Sequence, residues 1–279
     1  SDRSGREPDA CGARQFFAPE VLAAIRGGKV FSGGKRHHEL VFHLMQADAV
    51  WIDISVPLED VYDRYLPYRE IVVFASGDPL FYGFAVTLQR EFPNAEIAVF
   101  PSFNSLQLLA HRLLLPYSEM VNVSVTGRPW KNLDVALIRN QQLIGVLTDR
   151  KKGPAEIAAR MLDYGYSNYV MYLGECLGNS SETVRTLALD EAVSTEFRVP
   201  NCVILQMMKP KVRLFGIPEN LFSHLEGREN MITKMPVRLL SLAMMDLYGK
   251  STMWDVGFCT GSVSIEAKLH FPELNIRTP

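Results

Sequence analysis

The sequence has little excess charge of either sign, and this limits the partners that it can bind. Its 279 residues carry 29 Lys and Arg against 31 Asp and Glu, which gives a formal net charge of −2 at pH 7. Proteins that hold long nucleic acids by the phosphates usually carry a basic surplus. The balance therefore argues against a nucleic-acid partner, although it leaves room for a local basic patch.

Long apolar runs and closely spaced cysteines are also missing. No uninterrupted apolar stretch reaches the roughly 18 residues of a spanning helix, and residues 1–8 lack the apolar core of a signal peptide. The cysteines Cys11, Cys176, Cys202 and Cys259 form no C-x-x-C pair. They predict free thiols in a reducing compartment rather than a zinc site. We therefore expect a cytoplasmic chain with no membrane partner and no bound metal.

What the chain does contain is a globular composition and an alternation of strands and helices. The hydrophobic fraction is 47% and the charged fraction 22%, values typical of folded domains. Strands are predicted at residues 30–31, 49–52, 71–75, 96–100, 121–125, 143–147, 169–173, 202–205, 252–256 and 274–276. Helices are predicted at residues 19–25, 80–90, 105–114, 154–162, 233–247 and 262–269. The alternation favours an α/β fold with mostly parallel sheets covered by helices.

The alternation is interrupted twice, and the breaks divide the chain into three parts. An N-terminal α/β subdomain is expected over residues 1–115 and a second over residues 116–210. After Lys209-Pro210-Lys211, residues 211–279 supply one βα unit and part of a further strand. This is too little to close a doubly wound sheet.

Two polar loops follow predicted strands and open predicted helices. They are residues 75–83, ASGDPLFYG, and residues 101–107, PSFNSLQ. Because ligands in open α/β sheets bind at the carboxyl ends of strands, two such loops predict a shared pocket better than either does alone. Free amides at a helix start can hold a carboxylate, and Gly77 permits a close backbone approach. The alternative is an ordinary βα turn, with Asp78 as the helix cap in the first loop and Asn104 or Ser105 in the second.

Two further loops carry positive charge. Residues 33–38, GGKRHH, place clustered cations after a glycine pair, a pattern that suits an anionic ligand. The two adjacent histidines point apart on a helix and make a poor metal pair. In residues 126–130, TGRPW, Arg128 suits a carboxylate and Trp130 an apolar wall. The alternatives are a solvated turn for the first loop and an interdomain turn for the second.

A fifth motif lies near the C-terminus. Residues 255–262, DVGFCTGS, place a glycine-bearing loop between a predicted strand and a predicted helix. This order matches the nucleotide- or adenosyl-binding first turn of a Rossmann-like fold. Methyltransferase loops of this kind usually have glycine where Cys259 stands, so its β-carbon is expected to crowd a ligand.

These motifs together carry a family resemblance. Residues 17–206 resemble the tetrapyrrole (corrin/porphyrin) methyltransferases, and within them the branch that acts on precorrin-6Y in cobalamin biosynthesis. The similarity rests on GGKRH, SGDPLFYG, PSFNSLQ and GRP. The GDP-x-x-YG segment is specific to the superfamily, and the other three, in this order, are more specific to the branch. Residues 216–219, 232–234 and 254–257 resemble the start of the class I methyltransferase module that follows the first in bifunctional members.

The resemblance implies a fold and a reaction. The fold is two α/β sheets with a cleft between them, followed by the start of a Rossmann-like module. The reaction is methyl transfer from S-adenosyl-L-methionine to a precorrin ring, at C5 by the first module. The complete second module methylates C15 and decarboxylates the acetate at C12. The resemblance also implies a small-molecule tetrapyrrole substrate and a homodimer.

Residue roles follow from the resemblance position by position. Cofactor contacts are assigned to Ser76, Gly77, Asp78, Phe81, Asn104, Ser105 and Leu173. The carboxylates of the substrate are assigned to Lys35, Arg36, His37 and Arg128. Asp78 is expected to hold the methionine part or to orient its loop, and Phe81 and Leu173 to line the apolar part of the site. The resemblance identifies no general base, and Asp78, His37 and Asp149 stay open as candidates.

The sequence departs from the family pattern at both ends, which keeps other functions open. The family begins with a strand and a glycine-rich loop that help to bind the cofactor, and residues 1–16 show no such strand. The second module is expected to stop before the acidic residue that holds the ribose. The alternatives are a family member that acts on uroporphyrinogen, diphthine precursors or ribosomal RNA, and a non-catalytic fragment that binds a tetrapyrrole. Near-neutral charge disfavours RNA, and the tail disfavours the other two substrates.

Overall fold

The computed structural model describes residues 17–228 and 230–278. Cys11 and the expected lack of a strand in residues 1–16 lie outside the described residues. The chain divides into two compact units between Leu115 and Pro116. The first unit also includes two later segments, Gly174–Arg185 and Arg198–Asn201, and the second unit contains the remainder of the chain. Residues 211–279 group with the second unit.

The first unit is built on a three-stranded parallel sheet with the strand order β2-β1-β3. Its elements are α1 (Pro19–Gly27), β1 (Val30–Gly33), α2 (Lys35–Val41), β2 (Val50–Asp53), α3 (Glu59–Tyr65), β3 (Val72–Val73), α4 (Phe84–Glu91) and α5 (Ser105–Leu113). A 3-10 turn, Phe42–Leu44, follows α2. Pro19 begins α1 because its fixed φ suits a first helical turn. Because the three strands are parallel, their carboxyl ends lie at one edge of the sheet, where the first polar loop follows β3.

The core beneath this sheet combines apolar packing with a satisfied polar pair. Val30, Ile52, Val61 and Tyr65 form one buried cluster. The buried Ser32 hydroxyl donates to the carbonyl of Ile52 at 2.8 Å and accepts from the Tyr65 hydroxyl at 2.6 Å. Because both buried hydroxyls are bonded, β1 crosses the core without the penalty of an unpaired polar group.

Two later segments of the chain return to the first unit and are fixed there by polar contacts. Arg112 on α5 pairs with Glu182 through Nε and Oε1, 2.5 Å apart. The hydrogen bond from Arg112 lowers the pKa of Glu182. The two segments also contact each other, because the backbone N–H of Cys176 donates to the carbonyl of Pro200 at 2.8 Å. The first unit thus needs residues from far beyond Leu115.

The second unit contains most of a five-stranded mixed sheet with the order β4-β5-β8-β6-β7. Its elements are β4 (Val121–Ser124), α6 (Lys131–Ile138), β5 (Leu143–Leu147), α7 (Pro154–Asp163), β6 (Tyr169–Glu175), β7 (Thr183–Ala188), α8 (Leu189–Val193) and β8 (Asn201–Met207). Strands β4 and β5 are parallel, whereas β5 and β8 are antiparallel. Ile144, Val146, Met171 and Leu205 are fully buried in one dense core.

The tail of the second unit adds a small βαβ arrangement. Its elements are a 3-10 turn (Glu219–Leu221), α9 (Met235–Met244), β9 (Thr252–Trp254), α10 (Ser262–His270) and β10 (Asn275–Arg277). Strands β9 and β10 pair in parallel. Leu242, Leu247, Met253, Ala267 and Leu274 form a hydrophobic cluster of their own.

Most predicted elements are confirmed, with three corrections. Residues 96–100 form no strand, although their accessibility alternates as a strand would; the hydrogen-bonded sheets of the described residues do not include them. The helix predicted from Leu80 begins only at Phe84, because the preceding residues form turns. Helices α3, α6 and α8 and strand β7 were not predicted. Among the described residues, no helix has both the length and the apolar character needed to cross a membrane.

Candidate functional site

The first polar loop folds through three local constraints at the end of β3. Gly77 has φ +68°, and Tyr82 also has a positive φ, +54°. Asp78 Oδ1 accepts the backbone N–H of Leu80 at 2.9 Å. A β-carbon on Gly83 would lie 2.4 Å from the carbonyl oxygen of Pro79. The turn therefore requires glycine at two positions, and the role of Gly83 was missed in the sequence.

Three loops that are distant in sequence meet around Ser76 and Gly77. The Ser76 hydroxyl lies 3.1 Å from Nε2 of His37 in the cation-bearing loop. A β-carbon built on Gly77 would lie 3.5 Å from Cα of Asn104 in the second polar loop. These are contacts across 39 and 27 residues, and they place the three predicted segments of the first unit at one edge of its sheet.

The second polar loop is fixed by a reciprocal helix cap. Asn104 Oδ1 accepts the backbone N–H of Gln107 at 3.0 Å, and Gln107 Oε1 accepts that of Asn104 at 3.0 Å. Ser105 is the first residue of α5. The side chain of Asn104 is thus used by the cap and is 8% exposed, so its backbone is what approaches Gly77. The interpretation of Asn104 as an N-cap is confirmed.

His37 does not supply the positive charge expected of it. Its Nδ1 accepts the backbone N–H of Gly34 at 3.2 Å, at the start of α2. Burial, and then the nearby charge of Arg36, lower the pKa of His37 below its ordinary 6.5. The ring is therefore neutral at pH 7. Lys35 and Arg36 are exposed on the same helix, and they carry the positive charge of this loop.

Asp149 organises the loop that carries Arg128 in the second unit. Its carboxylate accepts three backbone N–H groups at 2.8 Å, from Gly127, Lys151 and Lys152. The hydrogen bond from Gly127 is the largest cause of a lowered pKa for Asp149. A carboxylate held in this way is a weak base. Asp149 thus positions the loop, and the only sequence signal of this role is an Asp that follows a strand.

The remaining predicted residues lie in different surroundings. Phe81 is half-buried in the first unit, with its ring centroid 5.1 Å from that of Tyr82. Leu173 is fully buried in the core of the second unit, so its side chain is covered by protein, and its contact with a cofactor stays a prediction. Arg128 is exposed in the second unit. The face of Trp130 is covered by Arg160, 5.1 Å from the ring centroid.

The tail loop has the backbone that its glycine pattern predicts. Gly257 has φ +86° and Gly261 φ +68°, and Cys259 adopts φ +48°. The left-handed backbone at Cys259 explains why glycine suits that position. Ser264 on α10 donates to Asp255 at 2.6 Å. Over the described residues, we find no group of three His, Cys, Asp or Glu side chains that could hold a metal ion.

A buried ion pair joins the two helices of the tail. Arg238 on α9 and Glu266 on α10 are 0% and 1% exposed, with Nε and Oε2 2.9 Å apart. Glu266 also accepts the backbone N–H groups of Gly216 and Ile217, each at 3.1 Å. Burial favours a higher pKa for Glu266, but these hydrogen bonds outweigh it, and the pKa is lowered. The pair fixes the segment at Gly216 to α10.

Comparisons with known proteins agree with these motifs. The family model of the tetrapyrrole (corrin/porphyrin) methylases matches residues 35–193. The chain is 31% identical over 267 residues to a precorrin-6Y C(5,15)-methyltransferase [decarboxylating] from Sinorhizobium sp, covering 93% of this chain and 63% of the relative. It is 29% identical over 199 residues to a cobalt-precorrin-7 C(5)-methyltransferase from Salmonella typhimurium, covering 69% of this chain and 93% of the relative.

A solved structure shows the fold. Uroporphyrin-III C-methyl transferase from Thermus thermophilus, complexed with S-adenyl homocysteine, matches with a TM-score of 0.51 and 18% identity. The match covers 68% of this chain and 85% of that one. The chain spans just under two thirds of the length of its Sinorhizobium relative. Because the family model covers more than half of the sequence, the chain belongs to the tetrapyrrole (corrin/porphyrin) methylases.

Proposed function

We propose that this chain carries the S-adenosyl-L-methionine site and the C5-methylating module of a precorrin methyltransferase of cobalamin biosynthesis. The observation that carries the proposal is the meeting of Gly34–His37, Ser76–Gly77 and Asn104 at one edge of a parallel sheet. Ligands of open α/β sheets bind at such an edge.

The names of the two relatives support the choice of ring position. The Salmonella relative is named for C5 alone, and the match covers 93% of its length. The Sinorhizobium relative is named for C5 and C15 together and extends well beyond this chain. We therefore assign C5 to residues 1–115 and 116–210, and assign residues 211–279 to the start of a module for C15 methylation and decarboxylation.

The residues of the first unit fit a cofactor of this kind. Gly77 packs against Asn104 at ordinary contact distance, and beside it Ser76 is exposed. When bound, S-adenosyl-L-methionine supplies a methyl group on a sulfonium, which is transferred to a ring carbon as S-adenosylhomocysteine leaves. The role of the protein in this reaction is to bind the two reactants and to align them. Lys35, Arg36 and Arg128 would attract the carboxylates of the tetrapyrrole.

We further propose that the protein is a cytoplasmic homodimer and that its only substrates are small molecules. Both proposals rest on the family resemblance, and neutral charge supports the second. Light scattering at micromolar concentration tests the dimer.

The first experiment is calorimetric titration of S-adenosylhomocysteine into the unmodified chain and into Ser76→Ala. We expect micromolar binding to the unmodified chain and about tenfold weaker binding to the variant, which loses one hydrogen bond to a charged group. Ser223→Ala, at an exposed serine of the second unit, is the matched control. If Ser76→Ala binds S-adenosylhomocysteine as tightly as the unmodified chain, the cofactor site does not lie at this loop.

A mass-spectrometric assay with precorrin-6Y tests the reaction itself. The proposal predicts a product that gains one methyl group in the presence of S-adenosyl-L-methionine. Gain of two methyl groups with loss of carbon dioxide would show that the tail is active as well. Cofactor binding with no methyl transfer would favour the non-catalytic tetrapyrrole-binding protein.

A further inference from the structure

The hydrogen bonds of His37 define which of its ring nitrogens carries the proton. A backbone N–H can only donate, so Nδ1 of His37 must accept from Gly34. In a neutral imidazole the single proton is then on Nε2, and burial keeps the ring neutral at pH 7. Nε2 lies 3.1 Å from the Ser76 hydroxyl oxygen. It follows that His37 donates and that Ser76 accepts.

This direction leaves the hydrogen of the Ser76 hydroxyl available for another acceptor. Two of the three other predicted polar side chains of the site, those of Asp78 and Asn104, accept bonds from the backbone of their own loops. Asp78 Oδ1 accepts the backbone N–H of Leu80, and Asn104 Oδ1 accepts that of Gln107. Both oxygens hold the loops in shape. The Ser76 hydroxyl is exposed, and the bond from His37 leaves its hydrogen free for an acceptor on a ligand.

We propose that His37 is a positioning residue that, as the Nε2–H tautomer, fixes Ser76 as a hydrogen-bond donor to the methionine carboxylate of the cofactor. The inference rests on the proposed function, which supplies the cofactor, but its first half concerns the unliganded chain alone. A carboxylate suits this donor because bonds to charged acceptors are the stronger ones. The sequence assigned His37 to the substrate as a cation, and the geometry assigns it to the cofactor as a neutral donor.

The tautomer is measured first, without any ligand. Nitrogen-15 chemical shifts of the histidine rings distinguish Nδ1–H from Nε2–H, and His37→Asn identifies the signal of His37 by its loss. We expect the Nε2–H form at pH 7.5, an ordinary working pH about one unit above the free histidine pKa. A ring protonated on Nδ1 overturns the inference, whether or not the chain binds the cofactor.

Two substitutions at His37 then distinguish its role as a donor to Ser76 from its role as an acceptor at the start of α2. Asparagine is short, and its Oδ1 can replace Nδ1 as the acceptor of Gly34, but it does not reach Ser76. Glutamine is longer, and its amide can donate to Ser76 as Nε2 does. We expect His37→Asn to weaken S-adenosylhomocysteine binding about tenfold and His37→Gln to stay within about threefold of the unmodified chain. A residue that only capped α2 would give the opposite order or equal values.

A ligand that lacks the methionine part tests the proposed contact between Ser76 and the carboxylate. 5′-Methylthioadenosine lacks the amino-acid part, so His37→Asn and Ser76→Ala should leave its affinity within about twofold of the unmodified chain. Equal losses for both ligands would overturn the assignment to the carboxylate. If the unmodified chain binds neither ligand, the proposed function fails, and the nitrogen-15 measurement still decides whether His37 donates to Ser76.

Discussion

The glycine loop of the first unit and that of the tail have the same backbone conformation at one glycine but differ in what surrounds it. Gly77 and Gly261 both have φ +68°. A β-carbon on Gly77 would come no closer than 3.5 Å to another residue, in ordinary contact, whereas one on Gly261 would lie 2.4 Å from the ring of Phe258. A β-carbon thus fits beside Asn104 at the first glycine, whereas at the second it would collide with a ring of its own loop.

The difference extends to the side chains that support each loop. The first loop is held by His37 and approached by Asn104, which are distant in sequence. The tail loop is packed by Phe258 against Gly261 and bonded by Ser264 to Asp255, and Cys259 Sγ also donates to the carbonyl of Met231 at 3.1 Å. The first loop thus lies where three segments meet, whereas the second is filled by a ring of its own loop. We expect changes at the first loop to affect binding, and changes at the tail loop to affect stability.

The largest effect is expected from the buried ion pair. Arg238→Ala leaves the Glu266 carboxylate buried without its partner, and loss of one member of such a pair destabilises by about 3–5 kcal/mol. Hydrogen exchange should rise in α10 and around Gly216, with residues 76–83 unchanged. Arg139→Ala is the control, because Arg139 and Glu273 are half exposed, and such pairs contribute about 1 kcal/mol or less. Equal losses for the two variants would contradict the comparison.

The two glycines can be compared directly. An alanine in the left-handed region is destabilised by about 1–2 kcal/mol, and both variants share this. Gly261→Ala must also displace the Phe258 ring, which adds about 1–3 kcal/mol of overpacking. Chemical denaturation should therefore rank Gly261→Ala as the less stable variant. Only Gly77→Ala should weaken S-adenosylhomocysteine binding, and a loss of binding in both would show that the loops are not independent.

A smaller effect is expected at Asp149, which holds a loop of the second unit as His37 holds one in the first. Asp149→Asn replaces the oxygen facing Gly127 with an amide donor and removes the charge, so we expect a loss of about 1–3 kcal/mol. Asp163→Asn, at the exposed end of α7, should change stability by less than about 0.5 kcal/mol. Thermal and chemical denaturation measure both, and indistinguishable variants would refute the role given to Asp149.

The smallest effect is a pH dependence at His37. Because burial and Arg36 lower its pKa below 6.5, the unfolded chain takes up a proton before the folded chain does. The neutral ring makes its full contribution to the free energy of unfolding above pH 6.5. This contribution is lost as the pH falls below that value. Denaturation from about pH 7.5 to about pH 5 should show the unmodified chain losing stability relative to His37→Gln. A constant difference across this range would contradict the lowered pKa.

Local patterns in the sequence predicted much of the fold but less of the site. Buried strands such as β5 and capped helices such as α7 and α10 were correctly predicted, because their signals lie within a few residues. Residues 96–100 have the alternation of a strand but pair with no strand among the described residues, and pairing with a distant strand cannot be seen in a local pattern. The bond between His37 and Ser76 spans 39 residues. The motifs could be identified from the sequence, whereas the proton direction between them required the fold.

The segments that return to the first unit also affect how the chain is made. Arg112 cannot find Glu182, nor Cys176 its partner Pro200, until those residues have been synthesised. At about 5–20 residues per second, a ribosome needs several seconds to add the stretch after Leu115. During that interval the nascent first unit lacks part of its own contacts. A gene fragment that stopped at Leu115 would therefore encode an incomplete unit.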